Sequence, residues 1–165
     1  MNARGWGLVA ACGSLVADQG SKLLLLYGFG FAAMAPNARA FSSPVLDLVM
    51  AWNPGISFSF LAAHSTAGIA ALALAAAAGI AALGIWLWQA TRVRVSVGLG
   101  LIIGGAIGNL LDRLTYGRVA DFFDVHLARR NFFACNVADI LISLGVVLLL
   151  VDSLFFESAP AKGPR

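Results

Sequence analysis

Ionisable side chains within otherwise apolar stretches of this chain include Asp18, Lys22, Asp112, Arg113, Asp139 and Asp152. A charge inside a bilayer is costly, so each is a functional candidate by default. Asp18 and Lys22 are spaced i,i+4 with the acid first, the favourable order for a helical ion pair. Alone, that pair reads more readily as a helix stabiliser than as a reactive group. Asn109 shares a helix face with Asp112 and Arg113, and Asn136 shares one with Asp139. Asn53 and Asp121 lie in the polar connections. Several hydrolytic chemistries are open to such a set. Ser57 and Ser59 have His64 nearby, but no spacing suggests the orienting acid a triad needs. Cys135 adjoins the cluster without an evident cationic partner. Asp121, Asp124, His126 and Asp139 form a conceivable metal set, without a recognised ligand motif. Paired carboxylates are the simplest remaining option. Two held close cannot both ionise, so they share a proton. The ionised one takes a proton from water and the protonated one hydrogen-bonds a carbonyl oxygen. Either aspartate can start as the base.

The elements that must position these groups are membrane spans. The chain has 165 residues, 60% hydrophobic and 12% charged, against roughly 25% charged in a soluble domain. A bilayer core of about 30 Å needs about 20 apolar helical residues. Four stretches qualify, at about residues 5–29, 66–88, 93–114 and 135–156. The expected architecture is a single all-α polytopic membrane domain over residues 1–165. It has four transmembrane helices and a small β-cradle on one side. Residues 157–165 are polar, contain two prolines and are expected to be a disordered tail. Val9-Ala10-Ala11-Cys12 looks like a lipoprotein processing site. The apolar run continues past Cys12 to Phe31, however, so a full span fits better than a cleaved signal peptide. Cys12 and Cys135 form no C-x-x-C pair, and the topology sends them toward opposite membrane faces, which argues against a disulfide.

A tight turn near residues 89–92 joins the second and third helices. The other connections are long, about 35 and about 20 residues, and long connections in compact proteins tend to be functional. Both follow odd-numbered helices and so lie on one side of the membrane. Helix direction brings the polar patches of the first, third and fourth helices to that same side. Asp152 falls near the other, as an interfacial residue. Residues 45–52 can form a strand or an interface-hugging segment, with 122–125 and 131–133 as candidates to pair with it. Glycines 100, 104 and 108 have the spacing that lets helices approach closely. His126 reads as an ordinary interfacial histidine. Arg118, Arg129 and Arg130 read as headgroup contacts or solvated loop charges.

Four stretches resemble those of bacterial lipoprotein signal peptidases: Asp18-Gln19-Gly20-Ser21-Lys22, residues 53–60 (NPGISFSF), residues 104–124 (GGAIGNLLDRLTYGRVADFFD) and Asn136-Val137-Ala138-Asp139. The combination is specific, and its order covers nearly the whole chain. The resemblance implies that Asp121 and Asp139 are a catalytic dyad. It implies that Asn53, Asn109, Arg113 and Asn136 line the substrate pocket and support the dyad. Asp18, Lys22, Gly55, Gly108 and Asp112 take architectural or supporting roles. The implied substrate is a prolipoprotein, cleaved just before its diacylglyceryl-modified cysteine, with no metal or other cofactor. The implied place is the bacterial inner membrane, with the dyad toward the outer face, the termini cytoplasmic, membrane lipids as neighbours and globomycin-type peptides as inhibitors. The sequence departs from the family at Pro54, Cys135 and Ile140, which bears on pocket shape and not on the dyad.

The charge pattern does not orient the chain. Arg4, Arg92, Arg94, Lys162 and Arg165 balance Arg39, Arg113, Arg118, Arg129 and Arg130, five against five, so the positive-inside rule is silent. The net charge of +3 reads as membrane-surface bias. No basic patch interleaved with aromatics marks a nucleic-acid partner. An ion- or proton-coupled transporter would spread polar groups along a path across the membrane, whereas here they stop at one side. A structural assembly subunit, packed through glycine and alanine faces, would tolerate loss of both aspartates.

Overall fold

A computed structural model describes residues 1–35, 37–55, 65–127 and 130–156. Helix α1 is Ala3–Leu23, extended by a π-helical turn Leu24–Gly28 and followed by a 3-10 turn Phe31–Ala33. Strands β1 (Arg39–Phe41) and β2 (Leu46–Asn53) precede α2 (Thr66–Gln89) and α3 (Val93–Tyr116). Strands β3 (Val119–Leu127) and β4 (Arg130–Cys135) lead into α4 (Val137–Phe156). The four long helices are each long and apolar enough to cross a membrane.

Local chemistry sets their ends. The side chain of Asn2 accepts from the Gly5 amide at 2.9 Å and that of Ser65 from the Gly68 amide at 3.1 Å. Each satisfies an amide that the first helical turn leaves unpaired. Asn2 explains why α1 begins before the expected residue 5. Gly117 ends α3 at φ 71°, a left-handed conformation that costs glycine least. The chain reverses there, and β3 starts two residues later. The fourth helix was expected from residue 135 and begins at Val137, because Cys135 still belongs to β4 and Asn136 is the cap.

Helix α3 is the central element. A Cβ at Gly100 would strike the Gly7 carbonyl, one at Gly104 the Ala11 carbonyl, and one at Gly108 the Asp18 carboxylate. These bare positions let α1 lie against α3, where Ser14 Oγ donates to the Leu101 carbonyl at 3.0 Å. Gly98 and Gly105 do the same toward α4, meeting Gly145 and Ala138. Helix α2 buries only Ala73 and Leu87.

The sheet is antiparallel in the order β1-β2-β3-β4. Segment 45–52 forms a strand from Leu46 onward, β2, and 122–125 pairs with it through β3. Segment 131–133 instead pairs with β3. The β3–β4 register runs from Phe123 opposite Cys135 to Leu127 opposite Arg130. Ala120 and Phe122 point toward Leu26, Phe31 and Met50, which anchors the sheet on the end of α1. Strand alternation turns Asp121 to the opposite face.

Candidate active site

Asp121 comes from β3 and is 1% exposed. It lies opposite Ala51 in the register, and Asn53 lies two residues further along β2. The two side chains therefore share a face as diagonal neighbours. Asn53 Nδ2 donates to Asp121 Oδ2 at 3.1 Å. Between Leu48 and Ala51, β2 sets Val49 and Met50 against Phe122 alone. Such a bulge re-aims side chains beside functional sites.

Asp139 comes from the first turn of α4. Asn136 Oδ1 accepts from the Asp139 amide at 3.1 Å, and Asp139 Oδ2 accepts from the Asn136 amide at 3.2 Å. This is a reciprocal capping box with aspartate in the third helical position. It locks the Asp139 carboxylate to the helix start. Asn136 Nδ2 also donates to Asp121 Oδ1 at 2.7 Å. Asn109 Nδ2 donates to Asp139 Oδ1 at 3.0 Å. One asparagine thus touches both aspartates.

Behind the pair lies a buried ion network. Lys22 Nζ is 2.8 Å from Asp18 Oδ2 and 2.9 Å from Asp112 Oδ2, and it donates to Asn109 Oδ1 at 3.0 Å. Asp18 Oδ1 accepts from the amide of Ala138 at 3.0 Å, and Asp112 Oδ2 accepts from that of Ala120 at 3.2 Å. Each of those amides belongs to the residue just before one of the two aspartates. Arg113 donates to the Asn109 carbonyl at 3.0 Å and to the Gly55 carbonyl at 2.7 Å. The Gly55 amide donates to Asn53 Oδ1 at 3.0 Å, closing a turn through Pro54. All the expected site residues (Asp18, Lys22, Asn53, Gly55, Gly108, Asn109, Asp112, Arg113, Asp121, Asn136 and Asp139) thus join one hydrogen-bonded network. Gln19 completes it, donating to Asp18 Oδ2, the Gly108 carbonyl and Asp112 Oδ1. Sequence reasoning passed over Gln19; its position inside the Asp18–Lys22 stretch was the available signal.

Burial pushes the Asp121 carboxyl up to about 7, and the nearby Asp139 charge adds to the rise. Hydrogen bonds from Asn53 and Asn136 oppose it. Burial, reinforced by the Asp139 and Asp121 charges, raises the Cys135 thiol to about 11. That thiol is a poor nucleophile near neutrality, because the reactive form is the thiolate. A cavity of about 280 Å³ opens beside Asp139. Its apolar wall includes Leu72, Ala75 and Ala76 of α2 and Ile142 of α4, and its polar end Asn53, Asn109 and Arg113.

Other expectations fare differently. Asp124 and His126 do not join Asp121 and Asp139. His126 Nε2 lies 3.0 Å from Asp47 Oδ1, and Asp124 is the register partner of Asp47. Among the described residues no three His, Cys, Asp or Glu side chains gather as metal ligands. Asp47 also takes hydrogen bonds from the Ser42 hydroxyl and the Ser43 amide. The Ser42 bond and then the His126 contact hold its carboxyl down at about 2. His126 is therefore a partner of a buried carboxylate rather than an ordinary interfacial histidine. Arg118 stacks 4.7 Å over the Trp52 ring. Asp152 is no simple interfacial group: it is buried and paired with Arg92 and Arg94. Ser57, Ser59, His64, Arg129 and the tail 157–165 lie outside the described residues.

The family model for signal peptidase II matches residues 10–155. A lipoprotein signal peptidase of Methylocella silvestris is 45% identical over 165 residues, covering 100% of this chain and 95% of that one. One of Nitrobacter hamburgensis is 42% identical over 162 residues, covering 96% of each. A bacterial membrane enzyme solved by the in meso method matches the fold with a TM-score of 0.75 at 22% identity, over 96% of this chain and 95% of that one.

Proposed function

The chain belongs to the signal peptidase II family of aspartic peptidases, and on that premise we propose that Asp121 and Asp139 are the catalytic dyad of a prolipoprotein signal peptidase. The observation that carries the reading is the Asn136 bridge. It bonds Asp121 through Nδ2 and boxes Asp139 through its backbone amide and Oδ1. Two carboxyls held in one network cannot both ionise at little cost, so the pair keeps one proton near neutrality. The Asp121 value of about 7 fits that sharing.

The apolar cavity beside Asp139 accepts the membrane-borne signal peptide. Its scissile peptide, just before the diacylglyceryl-modified cysteine, lies across the dyad. The ionised carboxyl takes a proton from water, whose oxygen attacks the scissile carbonyl carbon. The protonated carboxyl hydrogen-bonds the carbonyl oxygen as it gains charge. The tetrahedral intermediate then collapses, the C–N bond breaks, and the departing nitrogen takes a proton from the dyad. Asn53 and Arg113 at the polar end orient the peptide. Globomycin-type peptides would occupy the same cavity. The chain is a multi-pass membrane protein; the proposed placement is the bacterial inner membrane, with the dyad outward and the termini cytoplasmic.

The test uses purified protein in detergent and a lipid-modified prolipoprotein. Asp121→Asn and Asp139→Asn should each lower cleavage by at least about 10³-fold, with melting temperatures showing a folded protein. Cleavage retained by either folded variant would sink the dyad assignment, and activity lost to a chelator would favour metal chemistry instead.

A further inference from the structure

The end of the bundle opposite the dyad holds a second cluster of charges. Asp152, in the last turns of α4, is 1% exposed. Arg92 Nη1 reaches its Oδ2 at 2.6 Å and Arg94 Nε its Oδ1 at 3.1 Å. Two guanidiniums against one carboxylate leave a net charge of about +1 at this site. Beside it lies a cavity of about 360 Å³ whose walls include Trp86, Gln89, Thr91, Arg92, Leu149 and Asp152. Arg94 is outside the cavity, stacked 3.8 Å over the Phe156 ring. Asp152 is thus neutralised from behind, while Arg92 supplies the positive charge in the cavity wall.

Arg92 is also oriented. Its bonds to Asp152 Oδ2 and the Phe156 carbonyl both use Nη1, and a guanidinium has five N–H donors in a planar fork. Its side chain is 44% exposed. A planar cationic fork held by a buried carboxylate suits a tetrahedral phosphate oxyanion. Gln89 and Thr91 add neutral donors to the same wall. The depth fits a lipid. Trp86 and Trp88 stand at this end of α2, and tryptophan concentrates at headgroup level.

From this geometry we infer that the cavity at the α2–α3 turn binds the phosphate group of an anionic phospholipid, with Arg92 as its principal contact. The site is independent of the dyad. Its occupancy ties α4 to the α2–α3 turn from the membrane surface.

The experiment measures melting temperature of the delipidated full chain in a neutral detergent, in the Asp139→Asn form so that cleavage plays no part. The probes are dioctanoyl phosphatidylglycerol, dioctanoyl phosphatidylcholine and inorganic phosphate at matched ionic strength. Phosphatidylglycerol should raise the melting temperature saturably and phosphatidylcholine should not. Arg92→Gln should weaken the apparent affinity at least about tenfold, the usual order for losing one charge-assisted contact. Arg4→Gln, which removes an arginine stacked on Trp88 away from the cavity, should leave it unchanged. Equal response to the two lipids, or equal losses in Arg4→Gln and Arg92→Gln, overturns the proposal in favour of diffuse surface charge. A response to inorganic phosphate alone overturns the lipid source and assigns the cavity to a soluble phosphate. Should Arg92→Gln not fold, Gln89→Ala and Thr91→Ala carry the test, and unchanged affinity in both overturns it.

Discussion

Asn136 does three jobs with one side chain and one amide. It caps α4, boxes Asp139, and donates to Asp121. Replacing it with alanine removes a helix cap worth about 1 kcal/mol and leaves both aspartates less constrained. Asn136→Ala should lower kcat by about 10²-fold, the scale of a small misplacement of reacting groups. The melting temperature should fall only slightly, and a large fall with kcat intact in the folded fraction would make Asn136 purely structural. Asn53 gives a cleaner electrostatic test. Its hydrogen bond favours ionised Asp121. The carboxyl is protonated below about pH 7 and ionised above it, so kcat/KM should decline as pH rises through that region. Removing the bond in Asn53→Ala raises the pKa, so the alkaline limb should move to higher pH. A limb that stays in place belongs to another group. At this scale the sequence was informative about which polar residues come together, because each is expensive where it sits. It said little about their bonds. The Asn136–Asp139 spacing of three was visible as a shared face, but its capping geometry was not. Nothing in a side-chain pattern marks the Ala120 and Ala138 amides as ligands of Asp112 and Asp18.

Among the elements, helices were more legible than strands. Apolar length marks a span directly, and the glycines at 100, 104 and 108 announced a close approach whose partner proved to be α1. Gly104→Ala should therefore destabilise the bundle by about 1–3 kcal/mol, as overpacking does, because its Cβ meets the Ala11 backbone rather than a movable side chain. Gly79, which has open space around its Cβ position, is the control. Thermal denaturation in detergent should show a drop for Gly104→Ala and none for Gly79→Ala. Strand pairing is nonlocal and was correspondingly harder to read. Segment 45–52 had the right composition for β2, but β1 is three exposed residues with no periodic signal. The Asp152 ion pairs are illegible for the same reason: Arg92 and Arg94 are distant in sequence, at the N-cap and in the first turn of α3.

For the molecule as a whole, Lys22 is the point where three helices and the sheet are held together. It pairs with Asp18 on its own helix and ties α1 to α3 through Asp112. Those carboxylates hold the backbone of α4 at Ala138 and of β3 at Ala120. The relative position of the two aspartates thus depends on one buried ammonium flanked by two carboxylates. Removing one partner of a buried ion pair costs about 3–5 kcal/mol, because the remaining charge is left uncompensated. Lys22→Met should therefore cost that much and abolish cleavage. The informative variant is the double substitution Lys22→Met with Asp112→Asn. It removes one of the two like charges but keeps an oxygen that can accept from the Ala120 amide. It should recover about half or more of the lost stability, since replacing a buried pair by neutral groups is often tolerated. If recovered stability brings recovered cleavage, the network acts by spacing the aspartates. If the double variant is stable but inactive, the Lys22 charge itself, relayed through Asn109 to Asp139, is required at the dyad. Melting temperature and kcat measured on the same preparations separate these outcomes.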